Sequence, residues 1–431
     1  MIAWVIRGIS EVCGNSEACV RSASPLLYTL TSIILFFTAR VLYDARIGFW
    51  SGVIFATLPG VSYSSLLITT DVPLIVCWSI MLYAWVMLVR RQSLGYAILL
   101  GVAIGFGLLA KQAMLYVFLC IGVHAAVSKE ARDALRGGRG ILAVAIALAL
   151  FAPNVVWNAQ HGFPTVRHTE TNIGWQYPYI HPLRLLEYVI VQFAVFGPIL
   201  LSVLLRTIWR ELPKPSDPRK VLLLSFSLPV LGLLVFQALL SRAHGNWSAT
   251  AYPAASILVT AVMLELNRET LFRVSLALHL AFAVVVAAAP AFAKHWRLFE
   301  QVQFLERVVG WHESADIVRA KLAEQHYGSI LVDTREVAGE LLYYLRDVSV
   351  PLYVWPTGPT PNDHYEMTRP FTTASPQPVL YVSLKPCPAS LAKAFGQITD
   401  LGIERVTLVA AKSRELHFCR LADYKGALPA H

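Results

Sequence analysis

The feature that most constrains this chain is a series of apolar runs, each of roughly 17–25 residues, recurring over its first 293 positions. A hydrocarbon core ~30 Å thick demands helices of that length, and a soluble core has no use for so many. We read ten segments, at about 24–41, 47–66, 72–89, 94–110, 112–128, 140–157, 184–206, 220–241, 247–266 and 271–293. Only 15% of the residues are charged, where a soluble domain carries nearer a quarter. The expected class is mainly α, a polytopic transmembrane helical bundle.

The net charge of +9 invites a nucleic-acid reading, which the placement of the cations excludes. They occupy short gaps between apolar runs, and every second gap is rich in them: Arg40 and Arg46; Arg90 and Arg91; Lys129, Arg132, Arg136 and Arg139; Arg206, Arg210, Lys214, Arg219 and Lys220; Arg268 and Arg273. The alternate gaps hold only Lys111, Arg167, Arg184 and Arg242. Cations in short loops stay cytoplasmic, so the poor gaps face outward. Asp71, the loop from Asn158 to His181, the "SRAHGNW" connection and everything after Ala293 are then expected outside. The N-terminus is placed outside too, although residues 1–23 are too polar for a span and carry no signal-peptide pattern. That combination leads us to expect a further helix upstream.

From about Lys294 to His431 the composition changes and a small soluble α/β domain is expected, giving two regions, 1–293 and 294–431. The runs "SILVD", "PLYVW", "VLYVSL", "RVTLVAA" and "ELHFCRL" read as strands. "TREVAGELLYYL" reads as a helix capped by Asp333, and "PASLAKAF" as a second, while residues 355–378 are Pro-rich and read as irregular. Of the six cysteines, Cys77 and Cys120 lie in apolar runs. Cys13 with Cys19, or Cys387 with Cys419, would pair in an oxidising compartment; unpaired thiols fit the sequence equally.

Asp71 opens an apolar run, "DVPLIVCWSIMLYAWVML", where a carboxylate is costly unless hydrated, paired or cation-bound. It reads either as a helix cap before Pro73 or as a group aimed at an outer cavity. Lys111 lies in a tight outer turn, as a snorkelling anchor or as a phosphate contact. Gly101 and Gly105 give the small-xxx-small spacing of close helix packing. Arg167 and His168, and then Arg242, Asn246 and Trp247 at the mouth of a later span, are candidates for anion or sugar contact. A solvated loop accounts for Arg167 and His168 equally well, and "NWS" also fits a glycosylation acceptor.

The stretches "LLITTDVPLIVCWSIMLYAW", "GFGLLAKQAMLYVFL", "NVVWNAQHGFPTVRH" and "GNWSATAYPAA", in this order, resemble the bacterial branch of the membrane-embedded dolichyl-phosphate-mannose–protein mannosyltransferase and aminoarabinose transferase family. The tail, with "REVAGELLYYL" and "NDHY", resembles it too. The resemblance implies a GT-C type bundle that takes a sugar from a polyprenyl-phosphate donor and passes it to a lipid, glycan or protein acceptor outside the cytoplasmic membrane. It matches Asp71 to an acidic family position, and Lys111, His168, Asn246 and Trp247 to positions bordering the cavity. It implies direct displacement at the anomeric carbon, with Lys111 countering the leaving phosphate and Arg167 or Arg242 behind it. Asp71 would assist, or hold a divalent cation, but one Asp with scattered histidines makes no ligand set and no cofactor is assigned. In this branch a first helix and an acidic outer loop precede a stretch resembling "HPPMIAW". Because this chain begins "MIAWVIR", the family's principal acid is expected to lie upstream of this sequence. Two rivals stand beside the transferase: an inactive remnant or scaffold, and a lipid or solute transporter, which the absence of a visible inverted repeat disfavours.

Overall fold

The computed structural model describes residues 1–166, 177, 180–212, 217–292, 305–356, 358, 361–409 and 412–426. They form two compact units, Met1–Gln160 with Glu170–Ala287, and Ala288–His431 with His161–Thr169.

The first unit is helical throughout. Its elements are α1 (Ile2–Cys13), α2 (Glu17–Leu42), α3 (Ala45–Thr57), α4 (Pro59–Ser64), α5 (Asp71–Arg91), α6 (Leu94–Ala110), α7 (Tyr116–Val127), α8 (Lys129–Leu135), α9 (Arg139–Gln160), α10 (Pro182–Phe196), α11 (Pro198–Glu211), α12 (Pro218–Ser225), α13 (Leu228–Leu240), α14 (Tyr252–Glu265) and α15 (Glu269–Phe292). Each of the ten apolar segments is helical, but not all are single rods. Among the described residues six helical stretches are long and apolar enough to cross a membrane, seven if the bent pair α10–α11 counts as one. Proline accounts for two breaks. Pro59 starts α4 after Leu58 and divides the segment 47–66. Gly197, in the left-handed region at φ 92°, and Pro198 turn the segment 184–206 by 113°. No side chain fits at that bend, because a Cβ on Gly197 would stand 2.2 Å from Nε2 of His279.

The layering follows from hydrophobicity all round a helix, which suits burial within a bundle. In α5 and in the stretch Gly245–Glu265, 83% of the apolar window is covered by other helices, against 11% in α9 and 22% in α15. Trp78, Trp85, Met81 and Leu82 of α5 pack with Ile257, Leu258 and Ala261 of α14 in one continuous core. Gly101 and Gly105 bring α6 onto α9: a Cβ at Gly101 would meet the carbonyl oxygen of Ala143 at 2.5 Å. Cys13 and Cys19 form a disulfide that joins the end of α1 to the first turn of α2.

The second unit holds α16 (Leu305–Val308), α17 (Trp311–Glu324), β1 (Ser329–Val332), α18 (Arg335–Tyr344), β2 (Leu352–Val354), α19 (His364–Thr368), β3 (Val379–Ser383), α20 (Leu391–Ala394), β4 (Phe395–Val409) and β5 (Lys412–Tyr424). The sheet order is β2-β1-β3-β5-β4, parallel among the first three and antiparallel thereafter. All five expected strands are present. Three details differ from the sequence reading. Thr334, not Asp333, caps α18, by accepting from the Val337 amide, while Asp333 accepts from the hydroxyl of Ser383. The helix expected over "PASLAKAF" is only four residues long and gives way at Phe395 to a 15-residue strand. Within the Pro-rich connection Asp363 caps the short α19 through the amides of Tyr365 and Glu366. Cys387 and Cys419 form the second disulfide, packed against Trp355, Phe371 and Phe395.

Candidate active site

The central helix α5 begins at Asp71, and α6, packed against it, ends at Ala110 with Lys111 in its C-cap position. Lys111 leaves α6 in extended conformation, its amide held by the carbonyl of Gly107, and so turns its side chain back toward the start of α5. The Lys111 Nζ donates to Asp71 Oδ1 at 2.6 Å. From the 3-10 turn Gly245–Ala251 that leads into α14, Asn246 Nδ2 donates to Asp71 Oδ2 at 2.8 Å. Three segments separated by 40 and 175 positions thus meet on one carboxylate. Asp71 is 8% exposed.

This geometry corrects one expectation. Asp71 is the first residue of α5 rather than its cap; Thr70 holds the cap position, and no side chain caps the helix there. Both oxygens of Asp71 go to side chains of other helices, though its charge still sits favourably in the first turn of the helix dipole. Lys111 likewise serves an ion pair rather than only anchoring in headgroups. The Lys111 ammonium has three donors, of which Asp71 takes one.

The other candidates divide. Trp247 stands beside Asn246, half-buried, its ring 5.1 Å from that of His244 in a tilted edge contact. Arg242 is exposed and makes no ion pair with Asp71. Arg167 and His168 lie outside the described residues. Among the described residues no three of His, Cys, Asp and Glu come together as a metal-ligand set. A divalent cation at Asp71 would have to displace Lys111 and would find one carboxylate where hard cations take six or more oxygens, so the residues present do not fit one.

One functional feature escaped the sequence reading. Two residues after Asn246, Ser248 donates to Oε1 of Gln192 at 2.6 Å, and the Tyr252 hydroxyl donates to the same oxygen. Gln192 Nε2 in turn donates to the Tyr188 carbonyl at 3.3 Å. All three side chains are buried. The network pins the turn carrying Asn246 and Trp247 to α10, and the lone amide in the run "EYVIVQFAVF" was the available signal. Gly245 permits the approach, since a Cβ there would meet Val191 Cγ1 at 2.5 Å.

The model of the family described as dolichyl-phosphate-mannose-protein mannosyltransferase matches residues 1–157. The lipid A galacturonosyltransferase RgtD of Rhizobium johnstonii (strain DSM 114642 / LMG 32736 / 3841) is 33% identical over 367 residues, spanning 85% of this chain and 77% of that protein. Two crystal structures of ArnT from Cupriavidus metallidurans share the fold. The one bound to undecaprenyl phosphate superposes with a TM-score of 0.62 at 15% identity, over 97% of this chain and 87% of that one. The apo form gives 0.61 at 16% identity, over 97% and 86%. Family membership disposes of the transporter reading. The chain belongs to the bacterial GT-C family of inner-membrane glycosyltransferases that includes the lipid A galacturonosyltransferase RgtD.

Proposed function

We propose that this chain moves a hexuronic acid from a polyprenyl-phosphate carrier to a lipid A-type saccharide at the outer face of the cytoplasmic membrane. The convergence of Asp71, Lys111 and Asn246 from distant segments carries the reading. The similarity to RgtD, whose name specifies a galacturonosyl group and lipid A, supports the sugar and the acceptor. Cation-poor gaps around Asp71 support the outward orientation. Two disulfides, Cys13–Cys19 and Cys387–Cys419, suit the same oxidising side. Residues 1–293 then form the catalytic bundle and 294–431 an extracytoplasmic α/β domain.

In the reaction an acceptor hydroxyl attacks the anomeric carbon as the bond from that carbon to the phosphate oxygen breaks, and the hydroxyl proton leaves with the departing lipid phosphate. Negative charge grows on the departing lipid phosphate, and Lys111 supplies a cation whose position Asp71 fixes beforehand. Asp71 is on this reading a positioning residue, Asn246 holds its second oxygen, and Trp247 offers the sugar an aromatic face. Arg167, His168 and Arg242 bear on the carrier phosphate from the outer loops. The test is a membrane assay with polyprenyl-phosphate galacturonic acid and lipid A, read by mass spectrometry. Wild-type membranes are expected to add one hexuronic acid and Asp71→Asn membranes to add almost none. Transfer at the wild-type rate by Asp71→Asn, or no transfer by the wild type, would overturn the proposal.

A further inference from the structure

A cavity of about 830 Å³ opens at the far end of α14 from Asn246, where α11 and α14 finish and α15 begins. Three arginines line it: Arg206 and Arg210, one helical turn apart on α11, and Arg268. Arg268 owes its position to a Schellman turn that ends α14. Asn267 takes the left-handed conformation at φ 54°, and the Arg268 amide returns to the Met263 carbonyl at 2.8 Å.

The charge count at this cavity is uneven. Its acids are matched: Glu211 by Lys220 at 2.9 Å, and Glu265 by Arg219 at 3.6 Å. Glu269, at the start of α15, is matched by Arg46 and Arg273. Among the described residues Arg206, Arg210 and Arg268 have no ion-pair partner, so three arginines line one cavity without a counter-charge. The carbonyl ends of α11 and α14 offset only about half a charge each. Planar guanidinium forks suit phosphate oxygens.

The remaining walls say what the phosphate is attached to. Val203, Val262, Met263, Leu271 and Val274 line the same cavity. Beside it Trp209, 82% exposed, and Leu212 and Leu266 project outward at the end of the bundle. Interfacial Trp next to surplus cations is the pattern of the headgroup level of a membrane, and basic pockets between spanning helices take acidic headgroups. We infer that this cavity is a binding site for an anionic phospholipid, its phosphate held by Arg206, Arg210 and Arg268 and its acyl chains laid along the apolar wall. The site lies about 20 Å from the Asp71 cluster by the length of α14 and is independent of the proposed transfer reaction.

The experiment uses the full chain purified in a neutral detergent, with thermal unfolding followed by tryptophan fluorescence. Phosphatidylglycerol micelles are expected to raise the midpoint by about 5 °C at saturation. Phosphatidylcholine micelles and inorganic phosphate should leave it unchanged. The Arg206→Gln/Arg210→Gln/Arg268→Gln variant should lose the rise, and Arg90→Gln/Arg91→Gln, cations in a different gap, should keep it. An equal rise with inorganic phosphate would mean a free-phosphate site and overturn the lipid assignment. So would loss of the rise in Arg90→Gln/Arg91→Gln, which would mean diffuse attraction. If the triple variant does not fold, Arg268→Gln alone should weaken the phosphatidylglycerol titration several-fold, and an unchanged titration refutes the site.

Discussion

Asp71 and Lys111 lend themselves to a double-mutant cycle of Asp71→Asn, Lys111→Met and both together. The pair is close, at 2.6 Å, and half-sheltered, with 12% and 25% of the two side chains exposed. Fully exposed pairs contribute ~0.2–1 kcal/mol, whereas breaking a buried pair costs ~3–5 kcal/mol. A coupling of about 1–3 kcal/mol lies between these limits and corresponds to roughly 5–150-fold in rate. The assay is the initial rate of sugar transfer at subsaturating donor, normalised to folded protein by fluorescence-detected size exclusion. Each single variant should lose activity, and the double variant should be no worse than the poorer single, because the groups act as a unit. A double variant whose loss equals the product of the two single losses would refute the reasoning. Lys111 and Asp71 would then contribute separately, and their contact would be incidental.

Three further outcomes are expected. Gln192→Leu leaves the buried Tyr252 hydroxyl without its acceptor, while Ser248 keeps only the Gly245 carbonyl; at ~1–3 kcal/mol for a stranded group it should lower the unfolding midpoint and weaken sugar transfer together, and a loss of neither counts against the positioning role. Cys387→Ser with Cys419→Ser opens a loop of sequence separation 32, a change of about 3–4 kcal/mol in the chain-entropy account, readable as a lower denaturation midpoint of the full chain; an unchanged midpoint contradicts the assignment. The hydrogen bond from Arg319 holds the Asp347 carboxyl below its ordinary 3.8. A depressed carboxyl stabilises the folded form above 3.8 and loses that contribution as the pH falls through its lower folded value. Asp347→Asn should therefore lower stability on the neutral side, where the wild-type carboxylate contributes, and leave the most acid side nearly unmoved, so that the acid limb is flatter; a steeper acid limb in the variant would reverse the sign.

What could be read in the sequence is what local physics writes there. Apolar length located each of the six helical stretches among the described residues that are long and apolar enough to cross a membrane, because a bilayer sets a minimum length. Short β-branched runs located β1, β2 and β3, which are buried. The same reasoning missed the first half of β4, an edge strand paired only with β5, whose Ile398 and Ile403 face water. With no buried face it carries no apolar run. The bend at Gly197 was invisible because Pro198 reads as an ordinary helix start on one side of a continuous apolar run. At the candidate site, Asp71, Lys111 and Asn246 could each be singled out by chemistry, yet nothing local says that they share a carboxylate. That fact belongs to the packing of α5 against α6 and α14. Gln192 was missed for the opposite reason: an uncharged amide barely perturbs an apolar run.

The spacing of the three residues on Asp71 also bears on biosynthesis. A chain grows at ~5–20 residues per second, so Lys111, 40 positions on, emerges about 2–8 s after Asp71. Asn246 follows Asp71 by 175 positions, a delay of about 9–35 s. During that interval Lys111 is on hand to neutralise the carboxylate, whose burial in lipid would otherwise be costly. The candidate site is thus assembled in two instalments, and the second waits for the ribosome to reach α14.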